Sequence, residues 1–316
     1  LQRAEFRNTN WFKELFSSNI MQSHSISLSG GTQKSNYYAS FSALLDPGWY
    51  KQSNVNRYTI NVNLTHHLAD NLSLNLIGGA AYRKQRAPGT LGQDVDVVGG
   101  EVKRDFDINP YSYASNTSRV LDPSATYVAN YAPFNIFHEL DNNYIDLNTL
   151  DARFQLELKY KPLKGLELSL LGAFKYMTST QEHYVKDDSN QALAYRAMAN
   201  GIIRDANKYL YKDPDNPYVL PKSVLPYGGL YHKGDNRMSD YDVRATANYS
   251  HTFAEKHIMN LFGGMELTNI ERQRNAFEGP GLIMRVWYLS ISINTSNVRW
   301  SRATPSILSR LLTLVV

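Results

Sequence analysis

The chain has 316 residues, no cysteine, 42% apolar residues and a formal net charge of +4. That length allows one large or two ordinary domains, and the missing cysteines exclude disulfides and thiolate metal sites. All acidic residues lie at or before Glu278, while Arg285, Arg299, Arg302 and Arg310 follow it, so the positive balance sits in the tail and gives no nucleic-acid surface.

Residues 1–20 read as a loop with a short helix. Eight segments with apolar and polar residues in strict alternation follow, at about 21–29, 35–45, 55–67, 72–86, 148–162, 166–180, 239–253 and 258–273. In the fifth, Leu150, Ala152, Phe154, Leu156, Leu158 and Tyr160 share one side, while Asp151, Arg153, Gln155, Glu157 and Lys159 share the other. A period of two means a β-strand with one apolar and one wet face. The connections alternate as well. Gly30–Lys34, Leu68–Asn71, Pro162–Gly165 and Ala254–His257 are tight, whereas 46–54, 87–147 and 181–238 are longer. Antiparallel strands joined in this way collect every short turn at one end and every long loop at the other.

Tyrosine counts 22 residues, and its placement is ordered. Tyr37, Tyr160 and Tyr249 fall near the turn ends of their strands, and Tyr58, Tyr82, Tyr176 and Tyr241 near the loop ends. All seven belong to apolar rows whose middles are Leu, Ile, Val, Ala, Gly and Phe. Two aromatic bands flanking an aliphatic belt suit a bilayer, because a tyrosine ring sits at the interface with its hydroxyl wet. The opposite rows carry Asn61, Asn63, Thr65, Ser73, Asn75, Arg153, Glu157, Lys175, Asp242, Arg244 and Asn248, as a wet or plugged lumen requires. No apolar run reaches the ~20 residues of a membrane helix, and that says nothing against a barrel. The expected fold is all-β: an antiparallel transmembrane β-barrel segment of about eight long strands, with short periplasmic turns and long extracellular loops. Residues 21–278 are its strand region.

Particular residues carry a family resemblance. Asn8-Thr9-Asn10-Trp11-Phe12-Lys13-Glu14-Leu15-Phe16 is followed by Ser23-His24-Ser25-Ile26-Ser27-Leu28-Ser29-Gly30-Gly31. Lys34-Ser35-Asn36-Tyr37-Tyr38-Ala39-Ser40, Asn56-Arg57-Tyr58 and Gly263-Gly264-Met265-Glu266 come later. This set resembles the barrel of SusC/RagA-type TonB-dependent outer-membrane transporters, over about residues 8–278. The resemblance implies a plugged, many-stranded barrel that imports glycans or peptides with TonB and a SusD-like surface lipoprotein. It further implies that this chain begins after the first barrel strand and stops before closure. A small complete eight-stranded outer-membrane barrel with a structural or adhesion role, and a soluble β-sandwich carbohydrate-binding module, are the alternative readings.

From Ile283 both alternation and composition change. An allowed codon choice for Ile283 to Arg302, read in a shifted frame, gives a stop-free run. That run includes an aromatic stretch similar to the loop after the Gly-Gly strand of such transporters. Residues 279–316 are therefore expected to be an atypical tail, frameshifted from about residue 283.

Candidate chemistry is sparse. His66, His67, His251 and His257 flank short turns, with no zinc spacing. Asp187-Asp188 and Asp213-Pro214-Asp215-Asn216-Pro217 lack calcium-loop spacing and read as turns. No Gly-x-Ser-x-Gly elbow occurs, and neither enzyme activity nor a cofactor is expected. Gln191–Tyr211 has helical spacing, with Leu193, Met198, Ile202, Ala206 and Tyr209 on one stripe. The loop 87–147 holds Tyr111, Tyr113, Tyr127, Tyr131, Phe134 and Phe137, which suit sugars, peptides or loop packing. No binding residue is singled out.

Overall fold

The computed structural model describes residues 6–89, 94–96, 101–103, 106, 108–253, 257–282, 301–302 and 311–315. In chain order, helix α1 (Trp11–Leu15) precedes strands β1 (Gln22–Gly31), β2 (Ser35–Asp46), β3 (Asn54–Ala69) and β4 (Leu72–Pro88). The long connection that follows holds β5 (Asp94–Asp96), β6 (Glu101–Lys103), α2 (Pro110–Asn116), β7 (Tyr127–Ala129), β8 (Ala132–Phe134) and α3 (Ile136–Asn142). Strands β9 (Asn143–Leu163) and β10 (Leu166–Val185) come next, then α4 (Asn190–Arg196) and α5 (Gly201–Ala206). Strands β11 (Gly229–Phe253) and β12 (His257–Leu282) complete the long set, and short β13 (Ser301–Arg302) and β14 (Leu311–Val315) lie in the tail.

The eight long strands pair in sequence order, each antiparallel to its neighbour, and β13 and β14 add to the outer edge of β12. The sheet is thus ten-stranded and open: among the described residues β1 pairs with β2 alone and does not meet β12. A small closed eight-stranded barrel is not what these strands form. The turn residues Ala254–Lys256 and most of the expected frameshifted stretch lie outside the described residues.

The alternation seen in the sequence becomes two continuous faces, because pairing preserves the period of two across every strand. One row runs Tyr37, Leu64, Leu76, Leu156, Gly172, Val243 and Leu267 from β2 to β12. Most of these side chains are half-buried or exposed, with no second layer over them. The neighbouring polar row is self-paired. Glu157 accepts from Asn75 at 3.1 Å and Ser169 at 3.1 Å, and Arg244 meets Glu266 at 2.9 Å. The tight β9–β10 turn uses Gly165 at φ +90°, where a Cβ would collide with the Ser250 carbonyl.

The strands run past the expected segments at the loop end. β9 starts at Asn143, β10 continues to Val185, and β11 starts at Gly229. Here both faces mix polar and aromatic residues, so no period of two marks them, yet the backbone ladder still satisfies every strand. The buried residues gather at this end too. Trp11, Leu15, Ile108, Ala114, Ile136 and Leu140 form one cluster, Val185, Ala192, Leu225 and Leu230 a second, and Phe106, Ala132 and Ala194 a third.

Candidate functional site

The site is the cap built by the long connections over the loop end of the sheet. Its first part joins the N-terminal segment to the loop after β4. Asn10 caps α1, which buries Trp11 and Leu15. Trp11 Nε1 donates to the Ser118 carbonyl at 3.0 Å, Thr9 Oγ1 donates to Leu121 O at 2.7 Å, and the Trp11 ring meets Tyr113 edge-on at 5.1 Å. Asn109 and Asn135 cap α2 and α3 in the same way, each accepting two backbone N–H groups.

The second part locks the two long loops together through buried polar groups. Asn190 Nδ2 lies 2.8 Å from Ala129 O, 3.2 Å from Ala132 O and 3.1 Å from Pro133 O, and its backbone N–H donates to Glu139 Oε1 at 2.8 Å. Asn143 donates to Gln191 Oε1 at 3.3 Å, and its own Oδ1 accepts from His183 Nε2 at 2.6 Å. Asn207 closes α5 against α4 by donating to Ala194 O at 2.7 Å and Ala197 O at 3.0 Å. Each donor named here has a partner, so its burial costs little and leaving one partner out costs much.

Burial raises the Glu139 carboxyl above the ordinary carboxylate value; the Asn190 N–H and His138 only partly oppose it. His183 is pushed down to about 4 by burial and by the His232 ring stacked 5.7 Å away. His232 in turn faces Glu278 at 3.8 Å. His183 therefore folds as a neutral imidazole. Its contribution to stability is complete above its ordinary value of 6.5 and is lost as pH falls from 6.5 toward about 4. Hydrogen–deuterium exchange of the cap is expected to speed up across that window, and His183→Gln is expected to remove that part of the pH slope.

The residues singled out in the sequence land in several places. The loop aromatics pack on each other: Phe134 meets Tyr127 at 5.3 Å, Tyr131 meets Tyr209 at 6.0 Å, and Phe12 meets Tyr111 at 5.8 Å. Phe137 instead carries Lys51 Nζ 4.9 Å above its ring. The expected helix over Gln191–Tyr211 is two short helices, α4 and α5. Its stripe breaks, with Ile202 exposed and Tyr209 turned inward against Phe106 at 4.8 Å. Asn200 and Asn207 cause the break, because their side chains cap backbone ends instead of continuing a helix. Asp213 accepts from the Asp215 N–H at 3.0 Å, as an Asx turn does. The four turn-flanking histidines stay apart from one another in the ladder, apart from adjacent His66 and His67, and His251 stacks on Tyr249. The buried set Glu139, Asn143, His183, Asn190 and Gln191 was not visible in the sequence. Its only trace is a run of Asn and Gln at loop boundaries.

No protein-family model matches the chain. It is 25% identical to the TonB-dependent receptor SusC of Bacteroides thetaiotaomicron, over 67% of this chain and 22% of that protein. The fold matches the RagAB peptide importer in its closed-closed state with a TM-score of 0.61, at 18% identity, over 98% of this chain and 30% of that one. The open-open state matches at 0.58 and 17% identity, over 96% and 29%. The chain resembles a SusC/RagA-type TonB-dependent transporter. It spans about a fifth of the curated relative's length and under a third of the solved chains. The early block and the Gly263-Gly264 strand that carried the resemblance both lie in the sheet or its cap: Trp11 anchors the cap core, and Gly263-Gly264 sit on β12 beside Ala247 and Thr246.

Proposed function

We propose that this chain forms one arc of an outer-membrane β-barrel in a SusC/RagA-like importer of glycans or peptides, working with TonB and a SusD-like surface lipoprotein. The loop end faces outward and the short turns face the periplasm. The observation that carries this is the slope of the two tyrosine bands across the ladder. At the loop end, Tyr58 and Tyr82 pair at the level of Leu150 of β9, Tyr176 at the level of Ala152, and Tyr241, through Phe174, at the level of Phe154. At the turn end, Tyr37 stands level with Leu156, Tyr160 four residues lower, and Tyr249 pairs with Leu166, which pairs with Leu163, three residues lower again.

Both bands descend together by about one residue per strand. With ~3.3 Å per residue and strands ~4.8 Å apart, a plane through such a band meets the strands at a tilt of about 35°. Barrel strands cross a bilayer at roughly 35–45°. Tyr241 and Tyr249 are eight residues apart, about 26 Å along the strand and about 20 Å in height at that tilt, close to the ~25 Å apolar band of such barrels. Between the bands the outward row is apolar on every strand from β2 to β4 and from β9 to β12. Polar residues resume just beyond it, at His66 below and Asn269 above. A soluble sheet has no reason to slope its tyrosines at the angle of a membrane crossing.

The chain contains no cysteine, so single cysteines report faces cleanly. In lipid vesicles, Leu156→Cys is expected to react with a membrane-soluble maleimide and resist a charged one, with the reverse for Gln155→Cys. Equal labelling of the two positions by both reagents would reject the bilayer face.

A further inference from the structure

A hollow of about 410 Å³ opens on the outward apolar face of the sheet, across β9 to β12. Two rungs of the ladder make it. Tyr160 pairs with Leu168, Leu168 with Ala247, and Ala247 with Gly263. One rung nearer the loop end, Leu158 pairs with Leu170, Leu170 with Ala245, and Ala245 with Met265. Along both rungs the side chains shrink from leucine to alanine as β10 gives way to β11. Gly263 adds no side chain, and a Cβ placed there meets no atom within 4 Å. On β11 and β12 the next rung down carries Tyr249 and Leu261, and the next rung up carries Val243 and Leu267. The result is a closed-ended trough along β11, ~20 Å from Tyr249 to Val243 at ~3.3 Å per residue, with the β10 leucines as its wall.

We infer that this trough holds one acyl chain of a phospholipid from the periplasmic leaflet as a resident lipid, which rests on the barrel reading and goes beyond it. Inside a bilayer no hydrophobic force drives apolar groups together, so van der Waals contact decides what stays bound. A flat wall touches an acyl chain from one side. The trough touches it from the floor and from the leucine wall, and a gap left unfilled forfeits those contacts. The lining offers nothing to a polar ligand: it has no charged side chain, and Ser169 and Thr246 belong to the opposite row, where the Ser169 hydroxyl donates to Glu157. Position then selects the occupant. Ala247 and Ala245 lie two and four residues above Tyr249, while Tyr241 lies eight above it, so the trough occupies the turn-end half of the apolar band. A neighbouring protein face would cover the band from top to bottom, whereas a chain anchored at the lower interface fills this half alone. Tyr160 lines the foot, at the level where ester and phosphate groups begin, and its hydroxyl can donate to them.

The test counts lipid on the chain. The 316-residue protein is inserted into vesicles of phosphatidylethanolamine and phosphatidylglycerol, extracted in mild detergent and weighed intact by native mass spectrometry. The parent chain is expected to keep one phospholipid. Gly263→Leu and Ala247→Leu each fill the floor and are expected to lower the ratio of lipid-bound to lipid-free chain by about tenfold. Gly172 is as open as Gly263 but stands on β10, one rung above the trough, so Gly172→Leu is expected to leave that ratio unchanged. No retained lipid, or equal retention in the filled and parent chains, overturns the site. Paired chains that the filling substitutions separate would put a second copy in the trough and overturn it as well. Flotation of each preparation with its vesicles keeps the two readings apart, and two filling variants guard against one that does not insert. A parent chain that floats and keeps no lipid overturns the site alone, and one that fails to float overturns the barrel reading beneath it.

Discussion

Leu156→Arg is expected to cost the lipid-inserted chain about 2–4 kcal/mol, the penalty of a cation near the bilayer midplane on a barrel's outer face. Leu156 lies midway between the tyrosine bands on β9, paired with Leu76 and Gly172 on the same apolar row. Gln155, its neighbour in sequence, points to the opposite face beside Ile77 and Ala173. Gln155→Arg is expected to stay within about 0.5 kcal/mol, the usual range for a solvated surface exchange. Urea unfolding in short-chain lipid vesicles, followed by far-ultraviolet circular dichroism, reads both values. The comparison controls for strand propensity, since arginine replaces one residue on the same strand in each case. Equal costs on the two faces would remove the lipid assignment.

Asn190→Ala should loosen the cap by about 2–4 kcal/mol while leaving the sheet intact. Its amide group serves the carbonyls of Ala129, Ala132 and Pro133, and each buried acceptor left without a partner costs about 1–3 kcal/mol. The geometry allows two good bonds from one NH₂ group, which holds the total below a simple sum. The backbone N–H to Glu139 survives the change, so the loss is confined to the side chain. Limited trypsin digestion is the readout. Arg196, Lys208 and Lys212 are expected to become cleavable at enzyme levels that spare the parent protein, with the strand signal in circular dichroism unchanged. Unaltered protection would show that the two loops are held by apolar packing alone.

How much of this was legible beforehand follows from what sets each part. The strands over 35–45, 55–67 and 72–86 were placed to within two residues, because one face must be apolar and the other polar along each of them. Their order and turns followed from Gly, Asn, Asp and Pro at the tight connections. The continuation of β9, β10 and β11 above the tyrosines was not legible, since there the two faces no longer differ in polarity. The helix expected over Gln191–Tyr211 failed for a local reason: Asn200 and Asn207 compete with helical bonds, and a stripe of apolar residues does not reveal that competition.

The sequence by itself determined the two-faced strands, the sorting of turns from loops and the tyrosines at both ends of each apolar row. These depend on residue type and spacing along one chain. Only the tertiary structure decided that the bands slope across the ladder, because a tilt is a property of register between strands and no single strand contains it. Tertiary structure also decided that Glu139, Asn143, His183, Asn190 and Gln191 meet in one buried lock. Their partners lie up to about sixty positions away in the chain, and hydrogen bonds over that distance leave no periodic mark in the sequence.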